Sequence, residues 1–195
     1  QNKAKKVYEA NITVFDALKK SDYDPKGKFF LERYVAAHAI MISFEGIPAI
    51  YFNSLFGKSN DEAKYIITGN NRDVNRYKWN YKNIIRKLSD NKTKQSIFYS
   101  NIANLLSIRR KQKAFHPNGK RYNINLGSKL FCFKRLSLDK KQSIICITNL
   151  SSKNQTTKLN KEFQNYKDLL NLKTKFKDKN LLTLKPFQTV WLSNI

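Results

Sequence analysis

Glycine and proline are scarce in this chain, six and four in 195 residues. That excludes a collagen-like or low-complexity composition. The few glycines form none of the glycine-rich patterns that cradle phosphate. Cysteine is rarer still, with only Cys132 and Cys146 present. Two thiols do not make the disulfide framework of a small secreted domain, so free thiols in a reducing cytoplasm are expected. The two histidines and 14 acidic residues show no metal-ligand spacing, and there is no nucleophile elbow; neither a metal nor a cofactor is expected. No apolar run reaches the ~18 residues of a membrane span, and no signal peptide opens the chain. A cytoplasmic protein with no membrane partner is expected. The opening "QNKAKKVYEA" has no initiating methionine and reads as the middle of a longer protein.

Positive charge is what the chain has in excess. There are 38 Lys and Arg, giving a formal net charge of +24, and such a balance raises nucleic acid as a partner. Two features argue against it. The basic residues are spread over the whole length, and only eight of them are Arg against thirty Lys, whereas phosphate clamps and base readout favour the two-pronged guanidinium. No nucleic-acid partner is expected; attraction of a phosphate substrate is a weaker use of the same charge. With 41% hydrophobic and 13% aromatic residues, the composition is that of a globular chain able to bury a core.

Periodicity divides the chain in two. The stretch "YEANITVFDALKKSDYDPKGK" reads as extended and then loop-like, with Asp, Pro and Gly as breakers. "FFLERYVAAHAIMISF" places Phe30, Tyr34, Ala37 and Met41 at helical spacing, and is apolar around enough of its circumference to be packed on more than one side. His38 within it reads as a satisfied core histidine. After Glu45 and Gly46, "IPAIYF" reads as a short parallel strand covered on both faces. From Asn53 to about Asn80 the chain turns polar, long for a connection, and such loops are usually functional. "WNYKNIIRKLSD" and "TKQSIFYSNIANLLSIRRKQ" read as helices, the second marked by Phe98, Ile102, Leu105, Leu106 and Arg109. Pro117 and Gly119 end the helical regime. Everything beyond alternates at period two, from "YNINLG" to "LLTLKPFQTVWLSNI", as in an antiparallel sandwich. Cys132 and Cys146 fall in these strands, where a buried, inert thiol is the default. The expected domains are 1–117 and 118–195.

One loop stands out. "TGNNRDVNR", residues 68–76, spends two of the eight arginines, Arg72 and Arg76, with Asp73 beside the first. The local reading of Arg72 is a surface residue bridging to Asp73. Asp61 and Glu62 do not read as a catalytic carboxylate pair, because adjacent residues rarely face a common site; a solvated turn is the better reading.

Five segments, in order and spacing, resemble the sucrose phosphorylase branch of the α-amylase superfamily: "VYEANITVFDAL", "GIPAIYFNSLFGKSND", "TGNNRDVNRYKWN", "AFHPNG" and "LKPFQTVWLSNI". The resemblance implies an α/β fold, the last part of a (β/α)8 TIM barrel followed by a small antiparallel β-sandwich. It also implies a fragment, since a whole barrel takes about 250 residues. The three catalytic carboxylates of such enzymes are then expected upstream of Gln1, and none is assigned to this chain. Arg72 matches the arginine that closes the bottom of the glucosyl pocket through a salt bridge to an aspartate from an early barrel loop. Arg76 either lines the site or holds the loop. Tyr8 and Glu9 match the segment that presents different groups to acceptor and phosphate. Sucrose-specific members tend to carry glutamine where Glu9 stands, so Glu9 resembles the relatives that use glycerate or a phosphorylated fructose; alternatively it is an exposed charge on a flexible segment. The expected partners are an α-glucoside and inorganic phosphate. A glucosyl phosphorylase, an α-glucosidase or transglucosidase, and a non-catalytic basic binding module all remain open at this point.

Overall fold

In the computed structural model, which describes residues 9–171, 174 and 180–195, all the α-helices precede all the strands. Contacts cluster into two units, one holding residues up to Lys19 with Ile50–Tyr99, the other Lys20–Ala49 with Ser100–Ile195.

The first unit is helical. α1 (Val14–Leu18) occupies a stretch expected to be extended. It forms because the Thr13 hydroxyl accepts the Asp16 N–H at 3.2 Å, satisfying one orphan donor of the first turn, and because Phe15 is buried with its ring 5.4 Å from that of Phe98. The long polar connection after Asn53 is not structureless either. It holds α3 (Phe52–Leu55), α4 (Glu62–Thr68) and a 3-10 turn over Asn71–Asn75. α5 (Tyr81–Ser89), capped by the Asn80 side chain, and α6 (Lys94–Arg109), whose residues from Ser100 on belong to the second unit, lie where the helical periodicity places them. In α6 the residues Phe98, Ile102, Leu105 and Arg109 are buried, one face of the helix.

The expected strand "IPAIYF" is absent. Residues 47–51 carry no ladder, Phe52 already belongs to α3, and Ile47 is 84% exposed. A parallel strand draws its hydrogen bonds from neighbouring strands, and no strand among the described residues pairs with it. Apolar composition alone did not make a strand here.

In the second unit, α2 (Phe30–Ser43) buries Tyr34, His38, Ala39 and Ile42, while Met41 faces outward at 37% exposure. Of the expected set Phe30, Tyr34, Ala37 and Met41, Tyr34 is buried, Phe30 and Ala37 are half-buried, and the buried stripe is rotated away from Met41. His38 is a satisfied core histidine: Nδ1 lies 2.9 Å from the Tyr34 carbonyl, to which it donates, and burial lowers its pKa. Asp24 anchors the start of α2 by accepting from Lys28 N, Phe29 N and Arg33 Nη1 at 2.8, 2.9 and 3.0 Å.

The strands are β1 (Lys120–Asn125), β2 (Leu130–Leu136), β3 (Ser143–Asn149), β4 (Gln155–Lys158), β5 (Lys167–Asp168), β6 (Leu181–Leu184) and β7 (Thr189–Ser193). They form an antiparallel five-stranded sheet in the order β1-β2-β3-β7-β5 and a two-stranded sheet of β4 and β6. Ile145, Ile147, Val190 and Leu192 from the large sheet meet Leu182 and Leu184 from the small one, and this is the sandwich core. The final apolar run is two strands, because Pro186 and Phe187 turn the chain between them, Phe187 at φ +52°. β3 shows no alternation of burial at all: its seven residues are buried throughout, with β2 and β7 on its two sides and α2 against it.

Two groups pin the large sheet to its surroundings. Arg135 of β2 is fully buried and donates to three carbonyls, Ser43 and His116 at 2.7 Å each and Gly119 at 3.2 Å. Asp168 accepts from Leu170 N, Trp191 N and the Thr174 hydroxyl at 3.0, 3.1 and 2.7 Å. Both thiols are buried as expected; burial pushes Cys132 up to about 12 and Cys146 higher still, which leaves them unreactive as nucleophiles near neutrality. Among the described residues no helix is long and apolar enough to cross a membrane.

Candidate functional site

The Arg72 loop is built by a helix stop and a cap. α4 ends at Gly69, whose φ of +64° is the left-handed conformation that favours glycine, and the Gly69 N–H closes the helix onto the Tyr65 carbonyl at 2.8 Å. The Asn70 side chain then accepts the Arg72 N–H at 3.1 Å and starts the 3-10 turn. Two bonds fasten this turn to α4. The Asp61 N–H donates to the Val74 carbonyl at 2.7 Å, and Lys64 Nζ donates to Asp73 at 2.9 Å. Asp73 is thereby committed to Lys64, and Arg72 does not bridge to it. Asp61 spends its side chain on capping α4.

Arg72 instead reaches back 63 residues to Glu9. Nε donates to Oε1 at 3.1 Å and Nη2 to Oε2 at 3.2 Å, the side-on fork that only a planar guanidinium provides. The bond from Arg72, then that from Asn11, holds the Glu9 carboxyl below its ordinary range, while Glu9 raises the Arg72 pKa. Both shifts have the same sign of cause. The pair is open to solvent, with side-chain exposures of 48% for Arg72 and 37% for Glu9. Arg76 is exposed at the end of the turn and has no ion-pair partner among the described residues, yet its charge also lowers Glu9 and Asp73. Two of the sequence-expected residues, Arg72 and Glu9, are thus in direct contact, with Arg76 near enough to be felt. Tyr8 lies outside the described residues.

Behind Arg76 the segment 76–80, which has no regular secondary structure, lies on an aromatic floor. Trp79 packs edge-on against Phe56 and Tyr77, with centroids 5.7 and 4.9 Å away, and Lys58 Nζ stands 4.3 Å from the Tyr77 ring centre. Asn53, from the first turn of α3, is buried beneath this segment. Sequence reasoning missed it. The available signal was one amide inside the apolar run "IYFNSLF", since a polar group in such a place must find partners. The neighbouring cleft, lined by Thr13, Tyr51, Asn53, Lys58 and Asn75, holds about 70 Å³, far below the ~300 Å³ of a ligand pocket. This cleft is too small to enclose a sugar. A cleft of about 610 Å³ lies in the strand-rich unit, lined by Ile47, Arg109, Lys113 and Leu138 among others, and contains none of the expected site residues.

The chain is similar to known proteins in sequence and in fold. No family model matches the chain. Superposition on the crystal structure of AmyP in complex with maltose gives a TM-score of 0.69 at 20% identity, covering 87% of this chain and 36% of AmyP. At that identity the likeness concerns the fold, which is that of part of an α-amylase-family protein ending in an antiparallel sandwich. The sequence narrows the class. The chain is 31% identical over 192 residues to the glucosylglycerate phosphorylase of Escherichia coli K12, covering 95% of this chain. A shorter stretch of 71 residues is 37% identical to the sucrose phosphorylase of Agrobacterium vitis, 36% of this chain and 13% of that protein. Its sequence is thus similar to that of the sucrose phosphorylase branch of the α-amylase superfamily. It spans 32% of the length of the E. coli relative.

Proposed function

We propose that the chain is the C-terminal part of a retaining glucosyl phosphorylase, residues 1–117 completing a (β/α)8 barrel and 118–195 forming its sandwich domain. The observation that carries this reading is the likeness to a glucosylglycerate phosphorylase along 95% of the chain. The reaction is a double displacement. A carboxylate attacks the anomeric carbon as the acceptor oxygen leaves with a proton from a second carboxyl group. Phosphate oxygen then attacks the same carbon, freeing the carboxylate and giving glucose 1-phosphate with retained configuration. The carboxylates for this belong to the remaining two thirds of the enzyme.

Within this chain, Arg72 serves the glucosyl group. Glu9 takes Nε and Nη2, so Nη1 remains, among the described residues, for a second acceptor: the aspartate that the resemblance implies on an early barrel loop, or a ring hydroxyl. A glutamate at position 9 favours a glycerate-type acceptor over fructose, in keeping with the name of the longer match.

The test is phosphorolysis by the intact enzyme, offered glucosylglycerate or sucrose with phosphate, with glucose 1-phosphate as the readout. Glucosylglycerate should be the better donor. Arg72→Ala should lower kcat/KM by about a hundredfold through misplacement of the reacting groups, and Arg72→Lys should recover only part. Arg76→Ala should change it less than about tenfold. Release of free glucose without glucose 1-phosphate would make the protein a hydrolase and end the phosphorylase reading. Kinetics of Arg72→Ala indistinguishable from the parent would remove the loop from the site.

A further inference from the structure

The geometry points to Asn53 as the residue that positions the Arg72–Arg76 loop, an inference that rests on the phosphorylase reading for its kinetic consequence only. Asn53 is 3% exposed and uses its whole side-chain amide on one neighbour. Nδ2 donates to the carbonyls of Asn75 at 3.3 Å and Tyr77 at 3.1 Å, and Oδ1 accepts the indole N–H of Trp79 at 2.8 Å. The orientation of the amide follows without ambiguity, because carbonyls only accept and an indole N–H only donates.

The three partners are alternate residues, 75, 77 and 79. Burial alternates with them: Asn75, Tyr77 and Trp79 are half-buried, while Arg76, Lys78 and Asn80 are exposed. Asn53 thus grips one side of the segment and leaves the cations on the other. It ties both carbonyls that flank Arg76 to a single planar group, so residues 75 and 77 cannot turn independently. Upstream, the 3-10 turn bearing Arg72 is fixed by Val74 and Asp73 on α4. Asn53 is the matching anchor on the downstream side. No other side chain replaces it. Asp keeps the indole bond but sets a carboxylate against two carbonyls. Gln carries the amide one methylene too far. An apolar residue leaves two carbonyls and an N–H unpaired.

The experiment compares Asn53→Ala and Asn53→Asp with the parent in the intact enzyme. One readout is the indole N–H signal of Trp79, assigned by its loss in Trp79→Phe. The other is steady-state phosphorolysis. Asn149 serves as control: it is a fully buried amide in the other unit, donating to the carbonyls of Lys153, Leu184 and Lys185. Asn53→Ala, which removes the indole's acceptor, should speed exchange of the Trp79 indole proton at least about tenfold, Asn53→Asp should speed it less, and both should lower kcat/KM by about ten- to a hundredfold. Asn149→Ala should lower the melting temperature and leave kcat and KM as they are. If the parent forms glucose 1-phosphate and the Asn53 variants match its kinetics, the positioning role is overturned while the phosphorylase reading stands. If the parent forms none, the phosphorylase reading falls, and unchanged indole exchange in Asn53→Ala would overturn the anchoring role on its own.

Discussion

Replacing Arg135 by methionine is the most informative perturbation of the strand-rich unit. Methionine approximates the length of the side chain but donates nothing. Three carbonyls, on Ser43, His116 and Gly119, lose their donors at 2.7, 2.7 and 3.2 Å. Each buried acceptor left unpaired costs about 1–3 kcal/mol, so the gross loss is roughly 3–9 kcal/mol. Against it stands relief of a buried charge. Arg135 is fully buried, its Nε has no partner among the described residues, and burial, then the nearby Arg109, lowers its pKa. That penalty is worth several kcal/mol, which leaves a net loss of about 2–4 kcal/mol. At ~2–4 °C per kcal/mol for a chain of this size, the melting temperature should drop by about 10 °C. Arg135→Lys should fall between, since an ammonium cannot span three carbonyls from two separate segments. Thermal unfolding followed by far-ultraviolet circular dichroism reads the shift directly. A melting temperature for Arg135→Met within about 2 °C of the parent would refute the idea that this guanidinium ties the end of α2 and the 116–119 turn to the sheet.

Gly57→Ala should cost about 2–4 kcal/mol, because φ is +56° and a Cβ would lie 2.7 Å from the Phe98 ring; an unchanged denaturant midpoint would contradict this. Asp168→Asn tests a buried carboxyl whose pKa is raised by burial, against the opposing bonds from Thr174, Leu170 and Trp191. A raised folded pKa means that the native state binds more protons, so this group's stabilising contribution is complete below the unfolded value of about 3.9 and is lost as pH rises through the folded value. Asparagine keeps the Oδ1 acceptor for both N–H groups and can donate to Thr174. Its melting temperature should match the parent near pH 4 and exceed it at pH 8, and a lower value at pH 8 would overturn the reasoning.

The sequence was most legible where one pattern had one physical cause. Alternation after Pro117 marked the strands because a half-buried antiparallel strand must alternate. Yet β3, "SIICITN", has no exposed face, and only its place between β2 and β7 explains that. The apolar run 47–52 misled because composition names a candidate strand without naming its neighbour, and none pairs with it among the described residues. In the loop, local chemistry favoured Asp73 as the partner of Arg72. Lys64, the third residue of α4 and reaching across to the turn, took Asp73 first. The pairing with Glu9 spans 63 positions, and no local pattern carries such a distance. Asn53 was hidden for the opposite reason: a single polar residue in an apolar run has no period.

The exposed Arg72–Glu9 pair has a consequence for how such a protein can change over generations. Exposed ion pairs add little to folding, in contrast to Asp24, which sits 6% exposed under three donors that would be orphaned without it. Replacement at position 24 meets a filter of stability before any question of activity arises. Position 9 meets no such filter. A neutral residue there frees two guanidinium N–H groups for another acceptor and leaves both units intact. Drift at this position is therefore not limited by folding, and under the function proposed above one acceptor can be exchanged for another without a prior compensating, stabilising mutation.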